Sequence, residues 1–327
     1  MRRAALLLAA TIVIAAGSTA CGSTPSPTVE AAPSTSVPST TVSAAADPPT
    51  RERGRDRQVV DATVRPVAAD RPVALADQIV AAERAIRDPA TSPDQLAGWG
   101  HTQQVAYAAL AARPRWDDKV ARRVPDDLQL ALAGNLSARR TSAALLPTEP
   151  ATELPAWRIV APEPTEDLLA HYRDAEAATG IEWEYLAAIN LMETRMGRIV
   201  GDSSAGAQGP MQFLPATWEE DGIGRGDIYD PADAIAAAAR YLVRRGGPAD
   251  MAEALYGYNN SDSYVNAVEQ YAAILRDDPR AYHGFHQWQV YYATAEGAVW
   301  LQEGYDQSEP ISVLAYLDDH PAAAPTP

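Results

Sequence analysis

Lysine and cysteine are almost missing from this chain. Of its 27 basic residues only Lys119 is a lysine, and Cys21 is the single cysteine in 327 residues. One cysteine excludes an intramolecular disulfide framework. The Gly-rich stretch over 201–209 is not a phosphate-cradling nucleotide loop, because its spacing is wrong for GxGxxG and no lysine follows it. Acids outnumber bases by 43 to 27, for a net charge of −16. That balance argues against wrapping nucleic acid or an anionic membrane face. The five histidines are scattered, and only His283 and His286 are close. An i, i+3 pair with no third ligand nearby is no basis for a metal site, so no metal or cofactor is expected. No internal repeat is visible. The one long apolar run, residues 4–16, is short for a bilayer that needs about 20 residues.

That run follows Arg2 and Arg3 and ends in small residues just before Cys21, the pattern of an export signal. The position of the cysteine resembles a bacterial lipoprotein signal, with Cys21 as the lipidated residue after the cut. Ser18 stands where a leucine-like residue is commoner. The expectation is an exported protein, held by lipid on the outer face of the cell membrane or released to the wall. A cysteine consumed in this way is no catalytic nucleophile. Residues 22–72 are rich in Ser, Thr, Pro and Ala and then in Arg interleaved with Glu52 and Asp56, a disordered tether.

The remainder reads as helices. Residues 73–150 form a helical extension, with a helix over 73–87, another from a Ser92 cap to about 112, and a third over 126–145. A proline-rich connector follows. The stretch 151–280 holds a helix capped by Thr165 and ended by Gly180, a helix over 183–196, a short one near 216–220, and others over 231–245, 249–256 and 262–275. The final segment, 281–327, carries a small β-hairpin around Ala295-Glu296-Gly297 and a disordered tail. The fold class is therefore mainly α, and the 46% of hydrophobic residues suffices for a sizeable core.

One helix breaks its own pattern. At 100° per residue, Glu193 falls between Ile189 and Leu186, inside the apolar arc. Burial raises a carboxyl pKa, and an acid still protonated near neutral pH can serve as a general acid. The same position also suits a buried salt bridge to an arginine. The stretch that follows, "GDSSAGAQGPMQFLP", supplies glycines where backbone approaches a ligand closely, with Ser203 and Gln212 able to bond amides and hydroxyls. A third stretch, "YGYNNS", joins two helices and offers Tyr256, Tyr258 and Asn259. Tyr264, Val265, Val268 and Tyr271 follow at helical spacing and read as core.

Together, "METRMG", "GAQGPMQFLPATW" and "YGYNNS" resemble, in order and rough spacing, the three motifs of the soluble-lytic-transglycosylase family related to goose-type lysozyme. "YDPADAIAAAARYL" resembles the helix between the last two. The resemblance covers about residues 165–275. Thr194, Pro210 and Ser261 depart from the commoner residues, and one extra residue lies between Glu193 and Gln212. The resemblance implies a lysozyme-like catalytic domain acting on peptidoglycan glycan strands. Glu193 would be the single acid, then base, in cutting the MurNAc–GlcNAc bond to leave a 1,6-anhydro end. Ser203, or Ser204 if the gap falls differently, would bind the muramyl side. Met211 backbone and Gln212 would bind sugar groups, and Tyr258 and Asn259 would hold the reacting residue or Glu193, with Tyr256 beside them. A lysozyme-type muramidase and a non-catalytic peptidoglycan-binding lipoprotein are the alternatives. A cell-wall enzyme partner for the helical extension is a further one. Abundant alanine and arginine with almost no lysine fit a GC-rich bacterium of actinobacterial type.

Overall fold

A computed structural model describes residues 64–325. The expected signal, Cys21 and most of the tether lie outside the described residues. The first helices are α1 (Pro72–Arg87), α2 (Pro93–Ala111), α3 (Asp117–Ala121) and α4 (Gln129–Ser142). Then come α5 (Thr165–Thr179), α6 (Trp183–Thr194), α7 (Pro215–Trp218), α8 (Pro231–Arg244), α9 (Met251–Tyr258), α10 (Asp262–Asp277), α11 (Ala281–His286) and α12 (Val313–Asp319). The short strands are β1 (Glu153–Leu154), β2 (Arg158–Ile159), β3 (Ile199–Val200), β4 (Val290–Thr294), β5 (Gly297–Leu301) and β6 (Ile311–Ser312).

Local chemistry explains several boundaries. Ser92 caps α2 by accepting from the Gln95 amide, while the Gln95 side chain returns to the Ser92 N–H: a capping box. Gly180 ends α5 at φ 77°, a left-handed turn that costs glycine nothing. Thr165 is not the cap of α5. Pro164, extended at ψ 142°, occupies the cap position without a side-chain bond, so Thr165 becomes the first helical residue. Its hydroxyl faces His286 Nδ1 at 3.5 Å.

The core is a bundle around α6. Helix α6 packs on α5 and α10, α5 on α8, and α4 runs along α10. Trp183, Leu186, Ile189, Leu191, Tyr241, Tyr264 and Val268 share one apolar cluster. Ala131 and Ala138 of α4 join that same cluster, so the helical extension is packed into the bundle. Leu75, Ile79, Tyr107, Leu110 and Leu128 make a second cluster among α1, α2 and the approach to α4.

The strands form three antiparallel pairs, β1–β6, β2–β3 and β4–β5. The hairpin β4–β5 stands where the sequence places it, with Thr294 opposite Gly297. Contrary to the sequence reading, the tail is ordered as far as residue 325, the last described. β6 returns to pair with β1 in the connector, α12 follows, and Val313, Tyr316 and Ala323 bury against Leu154, Val299 and Leu301. The end of the expected tether is also structured. The Gln78 side chain bonds Val67 O (2.9 Å) and the Ala69 amide (3.0 Å), and Arg65 donates to the Ala324 carbonyl. Among the described residues no helix is long and apolar enough to cross a membrane.

Candidate active site

The site is organised by the abrupt end of α6. Arg195, Met196 and Gly197 take φ of 56°, 61° and 85° in succession. Left-handed backbone costs a non-glycine residue about 1–2 kcal/mol, and here it stops the helix two residues short of the expected Met196. Specific contacts offset that cost. Arg195 folds its guanidinium back onto the Leu191 carbonyl. The Met196 amide reaches Asn190 O at 3.1 Å, and the Gly197 amide reaches Thr194 Oγ1 at 3.1 Å.

The polar residues of this last turn hold the following loop. Asn190 Nδ2 and Thr194 Oγ1 both donate to the Pro210 carbonyl, at 2.8 and 2.7 Å. Tyr172 fixes the amide by donating to Asn190 Oδ1 at 2.6 Å. Gln208 and Phe213 exchange backbone bonds of 2.8 and 2.9 Å, closing the loop between them. Only glycine fits position 209: at φ 73°, a Cβ would lie 1.9 Å from the Ile228 carbonyl oxygen. Gln212, also left-handed at φ 50°, turns its amide back to Gly209 O at 2.9 Å. Met211 is fully buried, and its carbonyl accepts the Tyr258 hydroxyl at 2.7 Å.

Glu193 projects from the same turn into the bundle and is 5% exposed. Its partner is no arginine. The Tyr264 hydroxyl donates to Oε1 at 2.6 Å, while Oε2 is buried without a partner. Burial pushes the carboxyl up to about 8, against the opposing pull of the Tyr264 bond and the Arg195 charge. Its place at the C-terminal, negative end of a helix also disfavours ionisation. With Oε1 occupied as an acceptor, the proton of the neutral acid resides on Oε2. A neutral carboxyl held in this way is able to donate a proton.

The other sequence candidates are placed unevenly. Tyr258 stands in the site with its ring parallel to that of Tyr264, 6.4 Å away, but its hydroxyl is committed to Met211. Asn259 is buried at the C-cap of α9. Tyr256, on α9, is 39% exposed. Ser203 Oγ accepts the Ala205 and Ala207 amides at 3.2 and 3.0 Å, so it stitches its own turn, while Ser204 is exposed. Asp202 is an exposed loop residue whose carbonyl accepts Trp157 Nε1 at 3.1 Å. His286 Nε2 donates to the Glu163 carbonyl at 2.8 Å, and among the described residues no three His, Cys, Asp or Glu side chains gather as metal ligands. Tyr264 was missed as a site residue. Its helical spacing marks the ring as core, which it is; only the hydroxyl at the ring's far end reaches the carboxyl.

A cleft of about 210 Å³ opens on the Asn190 side of this turn, between Val160, Met196, Gly197, Pro210 and Tyr229. Glu193 is not among its lining residues.

Residues 171–279 match the family described as Transglycosylase SLT domain. Over 152 residues the chain is 28% identical to the membrane-bound lytic murein transglycosylase F of Thiobacillus denitrificans, covering 44% of this chain and 32% of that protein. The chain thus spans about a third of the length of that curated relative. No solved structure matches it. The described residues are mainly helical with only short strand pairs, and residues 171–279 are similar to the Transglycosylase SLT domain, in keeping with a mainly α, lysozyme-like fold.

Proposed function

We propose that the chain is a peptidoglycan lytic transglycosylase that cuts the β-1,4 bond between N-acetylmuramic acid and N-acetylglucosamine without water. The observation that carries this reading is Glu193: a buried acid, raised to about 8, with one oxygen held by Tyr264 and the other free. The proton on Oε2 passes to the glycosidic oxygen as the C1–O bond breaks, and an oxocarbenium-like centre develops at C1 of the muramyl residue. The carboxylate so formed takes the proton of that sugar's C6 hydroxyl, and O6 closes onto C1. The acid is regenerated, and the product carries a 1,6-anhydro ring.

One carboxyl can run this cycle because the nucleophile belongs to the substrate. Ordinary retaining glycosidases need a second carboxyl about 5–5.5 Å away. An internal hydroxyl replaces it through proximity. In this reading Tyr264 holds the acid, and Tyr258 acts through the Met211 loop. Gln212, Ser204, Tyr256 and Asn259 meet the sugars, and Ser203 shapes the turn that carries Ser204.

Mass spectrometry of sacculi digested by the purified protein tests the proposal. Anhydro ends, one water lighter than reducing ends, are expected. Reducing ends would make the protein a lysozyme-type muramidase, and intact sacculi a non-catalytic binding lipoprotein. We further propose that the protein is exported and anchored through a lipid on Cys21, so that it works on the wall from the membrane's outer face. Palmitate labelling that survives Cys21→Ala would refute the anchor.

A further inference from the structure

The loop that carries Ser203, Ser204 and Gln212 is held from outside the matched domain. Residues 201–206 bond mostly within their own loop. The Ser203 amide reaches Ala207 O at 2.9 Å, the Gly206 amide reaches Ser203 O at 2.8 Å, and Gln212 Nε2 lies 3.4 Å from Gly201 O. Among the described residues, one hydrogen bond ties this stretch to anything beyond 201–213: Trp157 Nε1 donates to the Asp202 carbonyl at 3.1 Å. The half-buried indole also lies across Gly201. A Cβ at position 201 would stand 2.3 Å from Trp157 Cδ1, so ring and backbone meet at a distance that only glycine allows.

Trp157 is fixed in turn by segments on both sides of that domain. It enters β2, which pairs with β3 through Arg158–Val200 and Ile159–Ile199. The other edge of β2 meets the turn after the hairpin. There the Ile159 amide reaches Tyr305 O at 2.8 Å, and the Gly304 amide reaches Ile159 O at 2.9 Å. The Gln307 amide donates to the Trp157 carbonyl at 3.0 Å, and the Tyr305 hydroxyl donates to the Pro155 carbonyl at 2.6 Å. Tyr292 of β4 meets the indole edge to face, with ring centroids 5.6 Å apart. The connector and this C-terminal segment both fall outside residues 171–279.

We propose that Trp157 is a positioning residue of the glycan site: it sets Gly201 and Asp202, and through them the Ser204 and Gln212 side chains that meet the sugars. The connector and the ordered tail thereby serve substrate binding. A loop already in place pays less ordering entropy when the sugar arrives. Proton transfer is served separately, by α6 and the Tyr264 bond to Glu193. A loosened loop therefore weakens binding and leaves the acid as it was. The identity of the ligand rests on the enzymatic reading; the brace itself is independent of it.

The test is kinetic and uses the purified chain on soluble, un-cross-linked peptidoglycan strands. Trp157→Ala should raise KM about tenfold, the scale of one lost hydrogen bond and its ring contact, with kcat within about twofold of the parent. An equal loss should appear in Kd for the same strands when Glu193→Gln prevents turnover. Trp157→Phe keeps a ring on Gly201 without the N–H, and should bring the loss back to about threefold. The alkaline limb of the pH–rate profile should stay in place in both variants. If Trp157→Ala does not fold, Gly201→Ala, which puts a methyl into the ring contact, should raise KM in its stead. Folded variants that melt lower but keep the parent's KM and Kd would make Trp157 merely structural and overturn the proposal, as would a loss confined to kcat. A parent that binds the strands without cutting them sinks the enzyme reading alone, and the Kd comparison still decides the role of Trp157. A parent that neither binds nor cuts them overturns both.

Discussion

Two helices of this chain bury polar side chains in succession and use them in opposite ways. On α2, His101, Thr102, Gln103 and Gln104 are all inside. Gln103 accepts Trp288 Nε1 at 2.9 Å. Gln104 clamps Gln289 twice, amide to carbonyl at 2.9 Å and carbonyl to amide at 2.8 Å. His101 Nε2 meets the Tyr291 hydroxyl at 2.6 Å. These bonds staple α2 to the segment that enters the hairpin. On α6, Asn190 and Thr194 are spent in the same way on Pro210, but Glu193 between them keeps one oxygen unspent. Saturated buried polar groups specify a fold. His101 Nδ1 on α2 is also buried without a partner, but the unspent atom of Glu193 belongs to an acid, and that is what makes chemistry available there.

The contrast can be broken first at Glu193. Glu193→Gln should lower sacculus cleavage by about a thousandfold or more, the upper range for a general acid, with far-UV dichroism unchanged. It should also stabilise the protein, and more so at higher pH. The folded carboxyl titrates near 8 and a free one near 4.5, so the native state binds more protons between those values and loses stability as pH rises through them. The variant should therefore melt near the parent at pH 4.5 and above it at pH 8. At α2 the opposite pattern is expected. Gln104→Leu strands the Gln289 amide and carbonyl and should cost about 2–3 kcal/mol in denaturant unfolding, with little change in turnover once folded.

Smaller changes sharpen the comparison. Tyr264→Phe removes the bond that favours the ionised carboxylate, so turnover should fall about tenfold, the scale of one charge-assisted hydrogen bond. The alkaline limb of the pH–rate profile, which for the parent should drop above about pH 8, should move higher still. Ser203→Ala should cost only about 1 kcal/mol of stability, the usual worth of a turn-closing hydroxyl, with a modest loss of activity through Ser204.

Much of this was legible in the residues. Periodicity put Glu193 on the inner arc, Ser92 and Gly180 marked helix ends, and Ala295-Glu296-Gly297 marked the hairpin. What escaped has physical causes. Two-residue strands such as β2 and β6 are too short for any alternation to register. The tail orders because it pairs with a connector over 150 residues earlier, a contact no local pattern reports. Periodicity assigns a residue to a face but not its polar tip to a partner, so Tyr264 reads as core although its hydroxyl meets Glu193. Nor could it show that three successive left-handed residues would end α6 at Thr194.

The most direct test is a ¹³C NMR titration of the Glu193 side-chain carboxyl, assigned by its disappearance in Glu193→Gln. A midpoint near 8 is expected of a sealed acid that carries its proton at neutral pH. A midpoint near 4.5, the value of a solvated carboxylate, would mean that no proton is available to donate.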